Sequence, residues 1–416
     1  MKNQSSYSNV FRATRFEIGK LFWTHKEKAT MPRYHRLGQL PPQRHTQYRK
    51  PNGELFTEQL FSTFGFSGPM ALMYHHNLPT EVMGWEDLGE VKVELLKEES
   101  LRHRHLRTDK MQPRGDAISA RIPLMGNQDC TWNQVLVAEQ MENFFKNTEC
   151  DEVLFVHDGT GTLETMFGDI PFFPGDYLVI PRGTIWKIHF ESFPVRMLAI
   201  ESRGEVHIPR RYRNDLGQLR EEAPYHERDF RPPSTLETKD IKGEYHVVVK
   251  ARGRYTKYTY AYHPCDVVGW DGYVYPYAFS IHAFCPIVGK LHMPPPIHQT
   301  FNAAGFVICS FCPRMLDFHP NAIVVPYVHS NVDSDEVLYY CNDKFGSRKG
   351  IFEGSITLHP LGIPHGPQPG AVEAAIGATR TEELAVMLDT HRPLYMTQQA
   401  LDIEDPEYWK SWQPKV

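Results

Sequence analysis

Two stretches of this 416-residue chain hold side chains whose types and spacing suit metal chemistry: "HSNVDSDEVLYY" over 329–340 and "GSITLHPLGIPH" over 354–365. The first offers His329 and, seven residues on, Glu336; the second ends in His365. Two imidazoles and one carboxylate leave positions open on a bound ion, a set that suits Fe(II) better than Zn, Mn or Ni. Asp335 competes with Glu336, because adjacent side chains of a strand point to opposite faces and only one can enter a shared site. Alternation does not choose between them. Glu336 shares its face with Leu338 and Tyr340, Asp335 with Val337 and Tyr339, and either face is apolar enough to bury.

The chain carries a second copy of this pattern. "DEVLFV" at 151–156 mirrors "DEVLYY" at 335–340, an offset of 184 that sets Phe145 on His329 and Asn147 on Asn331. "GDYLVIPRGTIW" at 175–186 mirrors "GSITLHPLGIPH" at an offset of 179, with Trp186 opposite His365. The change of offset falls in turn-rich sequence, where insertions are tolerated. The first copy therefore keeps Glu152 but replaces both imidazoles with aromatics. A single carboxylate among aromatic rings cannot hold a metal, so the first copy reads as structural and the second as metal-bearing. A metal-bound imidazole needs its other nitrogen hydrogen-bonded, and His359 or Asn331 could serve. Strand packing is the plain alternative for His359, as it is for His298.

These blocks must sit on a fold that points them inward. His-x-Asn, then Glu, then G-x5-P-x-G-x-x-H resembles the two motifs of the cupins, which are double-sheet jelly rolls. The resemblance implies a mainly β chain of two jelly-roll modules with a few short helices, the C-terminal module holding the metal. Its spacing of seven selects Glu336, leaving Asp335 to orient a ligand histidine or face a partner subunit. Short β-branched or aromatic runs bounded by turn residues predict strands at 177–181, 195–201, 244–253, 305–311 and 385–390. Helices are expected over "VLVAEQMENFF" (135–145) and around 212–222, a loop-like arm over 31–80, and a linker over 202–240. The expected organisation is a flexible extension over 1–30, a degenerate cupin-like domain with a proline-rich arm over 31–240, and an iron-binding cupin domain over 241–416.

Composition narrows the partners. A net charge of −5 and a pI near 6.5 give no general attraction to nucleic acid or anionic membrane. No run approaches the 18 apolar residues of a membrane span, and the first thirty residues lack the apolar core of a secretory signal. Seven cysteines without framework spacing point to free thiols in a reducing cytoplasm. Cys309 and Cys312 form a lone CxxC that reads as buried strand residues, since zinc would need a second pair.

Over most of the chain after about residue 50 the sequence resembles the homogentisate 1,2-dioxygenases. "ELFTEQLFSTFGF" and "CDVVGWDGYVYPYAFSI" are similar to segments before that family's iron domain, and "PYVHSNVDSDE" and "IPHGP" to its ligand motifs. The resemblance implies one Fe(II) per chain held by His329, Glu336 and His365, with O2 as co-substrate. It implies conversion of homogentisate to maleylacetoacetate, a step of tyrosine and phenylalanine breakdown, in a homo-oligomer. "LHMPPPIHQTF" falls where the family keeps its catalytic histidine, so His292 is the expected base that takes the phenol proton, and His298 its understudy. Two features depart from the family: the glutamate lies seven rather than six after the first histidine, and Phe345 stands where a substrate-facing tyrosine is expected. They point to a divergent member with an altered hydroquinone-type substrate. Gentisate or another hydroquinone is the first alternative; a Zn or Mn cupin isomerase or hydrolase, or a non-enzymatic bicupin, follows.

Overall fold

The computed structural model describes residues 33–97, 100–325, 327–348 and 350–413, so the extension expected over 1–30 lies outside the described residues. The five expected strands appear as Asp176–Ile180, Val195–Ser202, Lys242–Ala251, Phe306–Phe311 and Ala385–Thr390. Two helices do not form. The stretch 135–145 is the end of the strand Cys130–Val137, a turn, and the start of Phe144–Asn147. Its Val and Phe side chains fit a pleated, buried surface, and sheet pairing overrides the local helical pattern. The stretch 212–222 makes only the 3-10 turn Arg210–Tyr212, after which Arg213 and Leu219 pair across a turn at Gly217. The arm over 31–80 is not loop: His35–Gly38, Thr57–Ser62 and Met70–His75 join Val267–Gly272 in a four-stranded sheet. The expected linker is packed too, with Tyr212, Leu219, Tyr225 and Phe230 buried.

The internal repeat shows in the strand order. One sheet runs Arg121–Gly126, Cys130–Val137, Val195–Ser202, Asp151–Asp158, Asp176–Ile180, Tyr277–Ser280, with short strands added at both ends. The other runs Gln299–Ala303, Phe306–Phe311, Ala385–Thr390, Asp335–Tyr340, Ile356–His359, Arg104–Leu106. The two orders match strand for strand. The last strand of each comes from the other module's side of the sequence: Tyr277–Ser280 follows 241 yet completes the first sheet, and Arg104–Leu106 completes the second. Lys242–Ala251 and Arg254–Tyr262 also pair into the first module. The boundary expected between 240 and 241 is therefore not a sheet boundary; the chain changes module after Ser280.

In the first module a seven-stranded sheet faces the first and closes a barrel filled by Phe145, Leu154, Val156, Ile180 and Trp186. In the second, the opposing layer is mostly loop, with the isolated bridge between His329 and His365 and the short pair Arg314–Met315 with Arg380–Thr381. The two six-strand orders pack against each other through Val153, Phe155 and Tyr177 on one side and Val337, Tyr339 and Leu358 on the other. That packing resolves the ambiguous strand: Val337 and Tyr339 face the other module, while Leu338 and Tyr340 point into the second barrel with Phe345 and Met387.

Asp335 makes no contact with a ligand histidine side chain among the described residues; it braces backbone. Its Oδ1 accepts from the Leu361 N–H at 2.7 Å and its Oδ2 from the Leu394 N–H at 2.6 Å. Asp151 does the same in the first module, accepting from Arg182 N at 3.1 Å and Val206 N at 3.0 Å. Beside each brace a turn glycine with positive φ donates to an asparagine carbonyl at 2.7 Å, Gly362 to Asn331 and Gly183 to Asn147. The glycine turn brings His365 back toward the head of the Asp335–Tyr340 strand. Each buried N–H left without an acceptor costs about 1–3 kcal/mol. Asp335→Ala should therefore lower the unfolding free energy by about 2–4 kcal/mol in a guanidinium titration. A loss below about 1 kcal/mol would show that the brace does not hold the turn.

Candidate metal centre

His329, Glu336 and His365 come together. Glu336 Oε2 lies 3.6 Å from His329 Nε2 and 3.7 Å from His365 Nε2. The two histidines face each other across a bridge whose N–H groups each donate to the other's carbonyl at 2.8 Å. His329 Nδ1 donates to the Tyr327 carbonyl at 3.1 Å, and His365 Nδ1 to the Ile363 carbonyl at 2.9 Å. A carbonyl can only accept, so Nδ1 carries a proton, and each imidazole in its neutral form turns the Nε2 lone pair toward Glu336. His365 Nε2 is buried with no hydrogen-bond partner. Lone pairs of two nitrogens and a carboxylate oxygen converging on one point, one of them orphaned, fit a divalent cation.

The surroundings prepare Glu336 for that role. Burial alone would raise its pKa, but the surrounding imidazoles, His359 hydrogen-bonded to it among them, hold it well below the usual carboxylate range. His359, fully buried, sits 2.7 Å from Glu336 Oε1 through Nδ1. Burial pushes His359 down to about 3, so it is neutral and its Nδ1–H donates to the carboxylate. Behind it, His103 packs edge-on to His359 at 5.6 Å and on Trp412 at 4.7 Å. It enters on the segment leading into Arg104–Leu106, the strand that the first half of the chain lends to this module.

The first module shows what the same position does without metal. Phe145 and Trp186 are cross-strand neighbours there, as His329 and His365 are here. Glu152 is held by the Arg121 guanidinium, Nη1 to Oε1 at 2.6 Å, and by the Trp186 indole N–H at 3.1 Å. Arg121 also reaches Glu201 at 3.1 Å, and Lys250 bonds both oxygens of Glu201 at 2.7 Å. An organic cation thus stands where the second module would hold an inorganic one. Among the described residues, two further groups have ligand-like spacing. Glu164 with His263 and Cys265 has Lys239 on its carboxylate, and His157 with Asp158 and Glu353 has Arg196 bridging both acids. Among the described residues the Glu336 carboxylate pairs only with imidazoles.

The other expected site residues fall at several distances. Asn331 contributes its backbone carbonyl to the turn, not its side chain to a ligand. Phe345 is a barrel residue, edge-on to Tyr340 at 4.9 Å. His292 and His298 make no hydrogen bond, ion pair or ring contact with the three converging residues. His292 lies edge-on to Tyr327 at 5.2 Å, and Tyr327 in turn lies 6.1 Å from His329, so a single aromatic ring separates the two histidines. His298 is buried and stacked on Phe311 at 4.5 Å, and burial pushes it down to about 3.

Sequence reasoning missed Asp389, the cross-strand neighbour of Glu336. Its signal was present, since "MLAIES" ending at Ser202 matches "AVMLDT" ending at Thr390 and sets Glu201 on Asp389. The Arg121 arrangement is directly testable. Arg121→Met should cost about 3–5 kcal/mol of stability by leaving Glu152 unpaired, while metal bound per chain stays as in the parent. A loss under about 1 kcal/mol, or a fall in metal content, would contradict the assignment.

A family model described as the homogentisate 1,2-dioxygenase N-terminal region matches residues 99–281, and the C-terminal one matches 284–416, meeting where the chain changes module. A Saccharolobus solfataricus protein with a provisional dioxygenase name is 40% identical over 385 residues, 91% of this chain and 98% of that protein. Homogentisate 1,2-dioxygenase of Dictyostelium discoideum is 30% identical over 295 residues, which is 66% of each chain. A cupin 2 conserved barrel protein from Leptotrichia buccalis overlays 73% of this chain and all of its own at 11% identity, with a TM-score of 0.31. With both halves matched in order and a relative aligned almost end to end, the chain belongs to the homogentisate 1,2-dioxygenase family.

Proposed function

We propose that this chain is a non-haem Fe(II) dioxygenase that opens the ring of a dihydroxybenzene, with homogentisate the first candidate and maleylacetoacetate the product. One observation carries the reading: His329, Glu336 and His365 converge on a point where, among the described residues, no Lys or Arg reaches the carboxylate, unlike the other ligand-like groups. Family membership supports dioxygen chemistry at that point. Fe(II) bound there would supply the redox chemistry that joins both atoms of O2 to the ring and open positions for substrate.

The chain's own residues do the rest. The Tyr327 and Ile363 carbonyls keep both ligand imidazoles in the tautomer that presents Nε2. His359 keeps one oxygen of Glu336 occupied, so the carboxylate offers the other. His292 is the better base for a ring hydroxyl. Its Nε2 is buried without a partner, and Asp317 stands 3.8 Å from its Nδ1, where a carboxylate orients an imidazole. His298, with its pKa pushed to about 3, is a poor base near neutral pH. The longer His329–Glu336 spacing and Phe345 favour testing other hydroquinones beside homogentisate. A homo-oligomeric, cytoplasmic enzyme completes the proposal, and light scattering of the purified protein checks the oligomer.

Loaded anaerobically with Fe(II), the protein should consume O2 in proportion to homogentisate and develop the absorbance of the ring-opened product. No uptake with any of a panel of dihydroxybenzenes would end the dioxygenase reading. His365→Ala and Glu336→Ala should lose iron and turnover together, whereas Glu152→Gln should keep its full iron content. His292→Ala should keep iron and lower kcat by roughly 10²–10⁴-fold; if His298→Ala does this instead, the base is the other histidine.

A further inference from the structure

The repeat allows a charge comparison that the three converging residues alone do not. In the first module two buried carboxylates pair across neighbouring strands, Glu152 with Glu201. Two cations touch them, Arg121 on both and Lys250 on Glu201, so the cluster is neutral. The second module keeps the carboxylate pair in the same register, Glu336 with Asp389. Among the described residues it keeps neither cation. The strand that presents Arg121 in the first module corresponds to Gln299–Ala303, and the chain just before that strand is the 3-10 turn Pro295–His298, where His298 stacks on Phe311. Arg348 donates to the carbonyls of Ser347 and Gly366 and lies over Trp412, and it bonds neither acid. Glu201 receives hydrogen bonds from Arg121, Asn147 and Lys250, whereas Asp389 Oδ1 is buried with no partner.

We propose that Asp389 is a second carboxylate of the metal centre: a positioning residue outside the ligand set that balances the ion's second charge. This rests on the metal reading above and deepens it. Asp389 is not a direct ligand, because no oxygen of it joins the group whose ligand atoms all lie within 4.8 Å of one another. It stands directly opposite Glu336 on the adjacent strand, where opposed side-chain stems of an antiparallel sheet lie about 4.5–5.5 Å apart. From there its orphaned oxygen can accept a hydrogen bond from a water or hydroxyl on the ion's open side. Two carboxylates and a divalent cation make the second cluster neutral, as two carboxylates, a guanidinium and an ammonium make the first. The site would therefore favour a divalent ion, and it would bind that ion more weakly if either acid were neutralised.

The test uses Co(II), whose visible absorption reports its direct ligands, titrated into the metal-free full-length protein, the Asp389→Asn variant and the Asp389→Glu variant. Asp389→Asn should raise the Co(II) Kd by about 10–100-fold, the range for groups that support metal ligands, with the shape of the spectrum unchanged. Asp389→Glu should recover most of the affinity. Without metal, Asp389→Asn should melt no lower than the parent, because it removes an acid that faces Glu336. An unchanged Kd, a changed spectrum, or an equal loss of stability with and without metal would each overturn the proposal, the last by showing a purely structural role. If the parent protein itself binds no Co(II), the failure lies in the metal reading on which this one rests.

Discussion

A carboxylate buried at the head of a central strand has to be matched by a cation, and both modules are built around that requirement at the same position. Leaving such a group unpaired costs several kcal/mol, more than most single packing interactions contribute. In the first module Arg121 reaches Glu152 from the neighbouring strand, the Trp186 indole takes the other oxygen, and Phe145 fills the space. In the second module the aromatics become His329 and His365, and no guanidinium among the described residues arrives. The same backbone thus serves two ends. A guanidinium closes the first cluster and leaves it inert, whereas converging imidazole and carboxylate lone pairs leave the second open to an ion with free coordination positions.

The fold makes the second cluster stiff on one side and accessible on the other. Exchange of the strands Arg104–Leu106 and Tyr277–Ser280 ties each sheet to the opposite half of the chain. The contact between modules adds a hydrogen bond of 2.5 Å between His157 and Tyr339, two residues beyond the carboxylate's neighbour Val337, and Arg196 links Asp158 to Glu353 across it. Glu336 is therefore presented from a strand that is held on both flanks. The histidines come from loops on the opposing layer, where Tyr327, Val328 and Val332 are exposed at 55%, 64% and 75%. Precise ligand placement needs the first property, and substrate entry needs the second.

Much of this was legible before any coordinates. Aligning the repeat placed Phe145 on His329 and Trp186 on His365, and both couples prove to be cross-strand neighbours. What stayed hidden was non-local. Alternation could not rank Asp335 against Glu336, because the outer face of their strand is covered by the other module and is as apolar as the inner. A helix over 135–145 was a fair reading of local spacing that sheet pairing overrode. The strand exchange left no signature at either segment, since pairing over more than a hundred residues is invisible to composition and periodicity. Asp389 was within reach: a lone acid in an apolar strand, matched by Glu201 in the other copy, signals a paired role once the third block of the repeat is aligned.

The central claim is that one divalent ion sits in the second module and that a guanidinium replaces it in the first. A crystal of the iron-loaded protein, measured on both sides of the iron absorption edge, addresses this directly. The account predicts a single anomalous peak per chain, bounded by His329 Nε2, His365 Nε2 and Glu336 Oε2, with ordinary light-atom density for Arg121 against Glu152. A peak at Glu164, His263 and Cys265, or none between the two histidines and Glu336 in fully loaded protein, would contradict it.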